Sequence, residues 1–440
     1  MTSPQPQTPP TGRLRVAVVV QRYGLEVNGG AELHARLFVQ HVRHAHEVQV
    51  LTTCARDYTT WDSHYPAGPC DVDGIRVLRF EHPQRGHSGR ARVPQAHLWR
   101  YRLRRLFSAM NRVRVAAPSG NTATDGPLYL ERQGPCCPDL VEHLRGAAGL
   151  YDVVVFFTAL YYPTAIGLPL TTVPTVLVPT LHDERSMVLP AYAEVFKRAS
   201  WILWNCRAEQ QLAQRLYGDV APGCVCGVGI DIPSTDLMQA QALRERLGLR
   251  QPYFVFVGRV TRSKGFDVLA RAFARLQARL GGGVQLAVIG QGFMAELPQV
   301  PGIVYTGFVQ EAERDALMAG AVATVVTSKH ESLSLVTLES LALGVPVVVN
   351  GRSEVLKAHV QDSGAGLVYE APWKPLAAAL QAMLNLSAPQ RQAMAQAGRA
   401  YVQRHYAWAR VDAVWLAALQ RAVHGAAAPV PGLEAETSHV

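Results

Sequence analysis

Two glutamates separated by seven residues, Glu331 and Glu339, stand in the segment VVTSKHESLSLVTLESLALGVPVVVN. An apolar run ends at Thr327, a polar turn follows, and a helix is predicted to begin near Ser334. The open N–H groups and the positive dipole end of such a helix form a natural diphosphate site. Both carboxylates are then placed to accept hydrogen bonds from the hydroxyls of a sugar or a ribose. The alternative is a solvent-facing pair of glutamates on an amphipathic helix.

A second segment, YFVFVGRVTRSKGFD, combines a strand, a glycine turn and two cations. The predicted strand runs into Gly258 and Arg259, and Lys264 with Gly265 opens the next helix. Two cations at such a turn can neutralise a diphosphate leaving group. Taken alone, the pair is more often ordinary surface charge.

Two further segments follow predicted strands in the first half of the chain. In QRYGLEVNGGAE, Gly29–Gly30 allow a ligand to approach the backbone closely, and a helix follows. Glu32 and His34 fit ordinary first-turn helix residues, which we favour for His34. In PTLHDER, His182 and Asp183 lie at a strand end, where His182 is placed to donate a hydrogen bond to a sugar. The alternative is a histidine in a polar loop.

Short valine-rich runs alternate with helical patterns, which favours parallel sheets built from βαβ units. Two such series occur in succession, and ligands bind outside the carboxyl ends of the strands in these folds. The first series is predicted at Leu14–Val20, Glu47–Leu51, Ile75–Phe80, Asp152–Phe157 and Pro174–Val178. The second is predicted at Tyr253–Val257, Val284–Ile289, Ile303–Thr306, Ala323–Val326 and Val345–Asn350.

The predicted organisation is an α/β fold of two doubly wound domains, with glycine and proline breakers between them. We predict a disordered tail at 1–12, a first domain at 13–220, a second domain at 221–405, a C-terminal helix at 406–425 and a disordered tail at 426–440. The first domain contains an Arg-rich insertion at 82–149. Within the insertion we predict a helix from Gln95 to Val113 and a loop near Pro118–Gly126.

Composition bounds the class of protein. Of 440 residues, 48% are hydrophobic and 18% charged, which suits two large cores. We see neither a long apolar span nor a signal peptide, and we expect a cytoplasmic location. The seven cysteines lack the spacing of a zinc site and are expected to be free thiols.

The net charge is +9, and nine arginines lie between Glu81 and Val115. This run is read as an arm for an anionic membrane or a phosphate-bearing acceptor, or as a solvated helix face. Nucleic acid is not expected as a partner.

The two C-terminal segments together resemble glycosyltransferase family 4, the glycosyl transferase group 1 enzymes, which are retaining and have the GT-B fold. ESLSLVTLE is similar to the family's E-x7-E motif, and GRVTRSKG to its G-R-x4-K-G element. The resemblance implies that Glu331 contacts the donor sugar, Glu339 the ribose, and Arg259 and Lys264 the phosphates. The chain departs from the family in having ESLSL where E-G-F-G-L or E-P-F-G-L is usual. Ser332 and Ser334 therefore replace small or rigid residues.

The resemblance also implies two Rossmann-like domains facing an interdomain cleft, with C-terminal helices returning to the N-terminal domain. The donor is expected to be a nucleotide-diphosphate sugar, and the acceptor a saccharide, glycolipid or other hydroxyl compound of cell-surface biosynthesis. The glycine loop is expected to close over the donor together with His182 and Asp183. No cofactor and no metal are expected. The remaining predicted donor contacts are Gly258, Phe308 near the base, Ser332 and the backbone of Ser334, Leu335 and Val336.

Two rival functions arise from the same residues. Gly290, Gly292 and Ala295 follow a strand and mimic a dinucleotide fingerprint, with Glu311 about twenty residues later, which indicates an NAD-dependent oxidoreductase. Pro298 and Pro301, however, interrupt the helix that this fingerprint needs. The other alternative is a protein of the same fold with a different role, namely a GT-B sugar phosphorylase, a nucleotide-sugar epimerase or a non-catalytic relative.

Overall fold

The computed structural model describes residues 12–27, 29–58, 60–82, 125–233, 237–370 and 373–425. The chain forms two compact units, which are Met1–Val228 with Ala409–Val440, and Gly229–Trp408. The predicted first domain ends at residue 220, whereas unit 1 extends to Val228. The additional residues belong to unit 1 because Gly223–Val225 forms a strand that pairs with Trp201–Trp204. The helix predicted from Gln95 to Val113, most of the following loop, and the tails other than Gly12 lie outside the described residues.

Unit 1 contains an eight-stranded sheet in the order β3-β4-β2-β1-β5-β6-β7-β8, in which only the edge strand β3 is antiparallel. Its strands are β1 (Arg15–Val19), β2 (Glu47–Thr53), β3 (Gly68–Val72), β4 (Ile75–Phe80), β5 (Val153–Phe157), β6 (Thr175–Val178), β7 (Trp201–Trp204) and β8 (Gly223–Val225). Its helices are α1 (Gly30–Val42), α2 (Asp125–Gln133), α3 (Pro138–Arg145), α4 (Tyr162–Leu170), α5 (Pro190–Arg198) and α6 (Arg207–Tyr217).

The end of the segment predicted as an insertion, 82–149, is part of the core of unit 1. Helices α2 and α3 lie between β4 and β5 in the chain, and α3 packs beside α4. Leu130, Leu140 and Leu144 are fully buried in the same core cluster as Phe156. These residues therefore serve as an ordinary crossover between two parallel strands, which requires a helix of this kind.

Unit 2 contains a six-stranded parallel sheet in the order β11-β10-β9-β12-β13-β14. Counted along the unit this is the order 3-2-1-4-5-6 of dinucleotide-binding folds, whose direction reverses between β9 and β12. The strands are β9 (Tyr253–Val257), β10 (Gln285–Ile289), β11 (Ile303–Gly307), β12 (Ala323–Val326), β13 (Val347–Asn350) and β14 (Gly366–Tyr369). The helices are α7 (Leu237–Arg246), α8 (Phe266–Leu280), α9 (Glu311–Ala319), α10 (Leu335–Ala342), α11 (Glu354–Ser363), α12 (Trp373–Leu384) and α13 (Ala388–Tyr406).

The last helix of the chain, α14 (Trp408–His424), returns to unit 1 from Ala409 onward. Trp415 is fully buried, and its ring lies 5.7 Å from that of His34 and 5.1 Å from that of Phe38, both on α1. This packing confirms the expectation that a C-terminal helix completes the first domain.

Candidate active site

The topological switch of unit 2 brings together the two loops that the sequence singled out. The loop after β9 and the loop after β12 leave neighbouring strands at their carboxyl ends. Thr327 Oγ1 donates to the Lys264 carbonyl at 2.7 Å, and Asn350 Nδ2 donates to the Thr327 carbonyl at 3.0 Å. Three strand ends are therefore tied to one another at the position where ligands bind in such sheets.

Lys264 and Glu331 form an ion pair across this switch, with 2.7 Å between Nζ and Oε1. The side chains are 32% and 13% exposed, so the pair is open to a ligand on one side. An ammonium and a carboxylate held this close can serve two parts of one substrate, the cation an anionic group and the carboxylate a hydroxyl. Arg259 lies exposed at the carboxyl end of β9.

Glycines permit the close approach of these loops. Gly265 has φ +75°, and a Cβ atom there would lie 2.5 Å from the Thr327 carbonyl oxygen. Gly290, at the end of β10, would place a Cβ atom 2.1 Å from the carbonyl oxygen of Gly258. Any side chain at either position would therefore push the loops apart.

The ESLSL loop keeps the backbone that a glycine would adopt. Ser334 immediately precedes α10 with φ +64° and ψ +72°, which is the left-handed region. Its hydroxyl lies 2.8 Å from that of Thr337. The backbone N–H groups of Ser334, Leu335 and Val336 stand at the positive end of α10 and have no intrahelical partner.

Glu339 lies within α10 and faces Arg314 on α9, with 3.6 Å between Oε1 and Nη1. Burial raises the pKa of Glu339, and the charge of Arg314 opposes this shift. Arg314 also contacts Asp315 at 2.8 Å. The sequence did not single out Arg314, because nothing in the pattern of its polar helix indicates that Glu339, on the next helix of the chain, is its partner. Phe308, which follows β11, is 75% exposed.

In unit 1, Glu32 is buried and forms an ion pair with Arg22. It also accepts a hydrogen bond from Gln21 Nε2 at 2.9 Å, and a Cβ atom on Gly29 would lie 2.0 Å from its other oxygen. Glu32 thus holds the glycine loop, and Gly30 begins α1. His34 is fully buried between Phe157 and Trp415, in agreement with its interpretation as a helix residue.

His182 and Asp183 lie in the loop after β6, where His182 Nδ1 is 3.8 Å from Glu184 Oε1. A buried carboxylate that the sequence analysis missed, Glu209, fixes this loop. Glu209 accepts hydrogen bonds from Leu181 N at 2.5 Å and Asn205 N at 2.6 Å. Burial raises the pKa of Glu209 to about 8, while these donors favour its charged form.

The oxidoreductase fingerprint lacks its helix. After β10 the described chain passes through a bridge between Gly292 and Val260 and reaches β11 without a helix. Within the described ranges, no group of three or more His, Cys, Asp or Glu side chains could hold a metal ion. The same ranges contain no helix with the length and apolar character needed to cross a bilayer.

Two Rossmann-type sheets, parallel except for the edge strand β3, and a C-terminal helix that returns to the first unit define the chain as a protein of the GT-B fold. Solved structures agree. The sucrose-phosphate synthase of Thermosynechococcus elongatus has a TM-score of 0.63 at 16% identity, covering 91% of this chain and 96% of its own. The Anabaena protein HepE in complex with UDP-glucose has a TM-score of 0.62 at 18% identity, covering 91% and 97%.

Residues 239–401, which span α7 to α13, match the family model described as glycosyl transferases group 1. This region contains both motifs, Arg259 with Lys264 and Glu331 with Glu339, so the chain is similar to that family over about a third of its length. The glycogen synthase of Thermus thermophilus is 32% identical over 144 residues, which are 31% of this chain and 32% of that protein. The chain therefore spans about a third of the length of this relative.

Proposed function

We propose that this protein transfers a glycosyl group from a nucleoside diphosphate sugar to a hydroxyl acceptor and retains the anomeric configuration. The observation that carries the proposal is the Lys264–Glu331 pair at the switch point of unit 2. It places a cation and a carboxylate beside the open N-terminus of α10, within the region that matches the family.

The chemistry assigns one task to each group. Lys264, Arg259 and the N–H groups at the start of α10 neutralise the departing diphosphate, while Glu331 orients the donor sugar and Glu339 the ribose. The acceptor oxygen forms a bond to the anomeric carbon on the face from which the phosphate oxygen departs. The acceptor proton passes to that phosphate oxygen, so the products are the glycoside and a nucleoside diphosphate.

Other parts of the proposal rest on the sequence alone. The donor contacts assigned to Gly29–Gly30, His182, Asp183, Phe308 and Ser332 stay predictions. The acceptor, a saccharide or glycolipid of cell-surface biosynthesis, and a peripheral place at the cytoplasmic face of a membrane also stay predictions. The Arg-rich run on which the membrane contact rests lies outside the described residues.

A nucleotide panel tests the proposal directly. UDP-sugars come first, since the Anabaena neighbour was solved with UDP-glucose, followed by GDP-, ADP- and dTDP-sugars. We expect one nucleotide class to raise the melting temperature and to be hydrolysed slowly, equally with and without EDTA, because side chains and helix termini supply the positive charge. NMR of the transferred sugar reports its anomeric configuration. If no nucleotide binds, the proposal fails, and phosphate-dependent cleavage of a disaccharide would support a phosphorylase instead.

A further inference from the structure

Helix α11 contributes a buried histidine to the ESLSL loop. His359 is 2% exposed, and its Nε2 atom lies 2.7 Å from the carbonyl oxygen of Leu333. Its Nδ1 atom lies 2.9 Å from the hydroxyl of Tyr401 on α13. A carbonyl oxygen can only accept, so Nε2 carries the proton and Nδ1 accepts from the tyrosine. Burial lowers the pKa of His359, which favours this neutral form.

The contact acts on a particular peptide unit. The Leu333 carbonyl and the Ser334 N–H belong to one planar trans peptide, so they point in opposite directions. Fixing the carbonyl on His359 therefore turns the Ser334 N–H away from His359, and Ser334 is the residue that immediately precedes α10. Leu333 itself is 5% exposed, and without His359 its carbonyl would lose its partner in a buried place.

Helix α13 supports α10 at both ends. Tyr401 reaches the residue before Ser334 through His359, while Arg399 Nη2 donates to the carbonyl of Leu343, which caps the C-terminus of α10, at 2.8 Å. Two residues of one helix thus hold the axis of α10, and with it the direction of its dipole.

We propose that His359, held by Tyr401, is a positioning residue that orients the Leu333–Ser334 peptide so that the Ser334 N–H binds the diphosphate of the donor. This inference rests on the proposed function. It adds a residue that lies outside both sequence motifs. The His359 side chain contacts the loop at Leu333 and Tyr401 on its other side, so it acts on the ligand through the loop.

Three variants test the inference. His359→Gln retains an amide N–H that can reach the Leu333 carbonyl, His359→Leu keeps comparable volume without a donor, and Tyr401→Phe removes only the hydroxyl. The dissociation constants of UDP, GDP and ADP are measured by calorimetry. The exchange rates of the amides from Glu331 to Thr337 are measured by hydrogen exchange, and each variant is melted.

For the nucleotide that binds the wild type, we expect His359→Leu to raise the dissociation constant about 10-fold, because the Ser334 N–H is still present but no longer held toward the diphosphate. In His359→Gln the dissociation constant should stay within about 3-fold of the wild-type value. Tyr401→Phe should fall between them. The loop amides should exchange faster in His359→Leu than in His359→Gln. Equal effects of Leu and Gln, or effects that follow the melting temperature alone, would overturn the inference. If the wild type binds no nucleotide, the proposed function fails, while the exchange rates still decide whether His359 orders the loop.

Discussion

Replacement of Lys264 by Met separates the catalytic contribution of the Lys264–Glu331 pair from its contribution to stability. The pair is partly open to solvent, with Lys264 32% exposed, so we expect its loss to cost no more than about 1 kcal/mol of unfolding free energy. In a unit of this size, that lowers the melting temperature by about 2–4 °C. If the same ammonium stabilises a leaving diphosphate, its removal should reduce kcat by about 100- to 1,000-fold.

The assay compares kcat, KM and the melting temperature of Lys264→Met with those of the wild type. Lys374→Met, which removes an exposed lysine from α12 of the same unit, is the matched control and should leave all three unchanged. Glu331→Gln breaks the pair from the other side and should lower kcat with a similarly small change in melting temperature. Turnover of Lys264→Met within about 5-fold of the wild type would refute the assignment of Lys264 to the leaving group. A loss of activity that merely follows unfolding would refute it equally.

Three further predictions concern charge, backbone strain and pH. Arg314→Met should weaken nucleotide binding about 10-fold, and more at pH 6 than at pH 8. Without the cation that opposes its raised pKa, Glu339 is more often protonated at the lower pH. Titration calorimetry at both pH values measures the effect, and an equal loss of affinity at the two would contradict the prediction. Ser334→Gly should be more stable than Ser334→Ala by about 1 kcal/mol in urea unfolding, since both lose the hydroxyl but only alanine keeps the strained backbone; equal midpoints would rule out strain. Burial lowers the pKa of His34 from 6.5 to about 3, so the unfolded chain binds a proton between these values that the folded chain does not. Stability should therefore fall as the pH drops below 6.5, by about 2 kcal/mol at pH 5, and His34→Gln should remove that part of the slope.

The strands were largely predictable because most of them are buried on both faces. Tyr253–Val257, Ala323–Val326 and Ile75–Phe80 were predicted with the observed bounds. Four strands were not predicted, namely β3, β7, β8 and β14. Of these, β3, β8 and β14 contain Gly or Pro, whereas β7 is an apolar run of the same length as the predicted strand β12. Pattern reasoning needs several residues of one period, and a strand such as β8, with three residues, does not provide them.

The site was predictable in part for a different reason. Loops after parallel strands meet at one edge of the sheet, so Lys264 and Glu331 could be expected to lie near each other although 67 positions apart. The residues that support them could not be found in this way. Arg314, Glu209 and His359 act through the partners that folding brings to them, and each is an unremarkable residue of a helix in the sequence.

The departure from the family at ESLSL illustrates why the supporting residues matter. A serine at the left-handed position costs about 1–2 kcal/mol relative to glycine, so the loop would otherwise be expected to relax out of that conformation. Ser334 is held there from two sides, by Thr337 within α10 and by His359 on the carbonyl that precedes it. The backbone N–H groups at the start of α10 can therefore keep one orientation with serine in place of glycine. His359→Leu should therefore weaken nucleotide binding less in the Ser334→Gly background than in the wild type. Glycine adopts the left-handed conformation without strain, so the loop depends less on His359 to hold it there. Purely additive changes in nucleotide affinity would show that the two residues act independently.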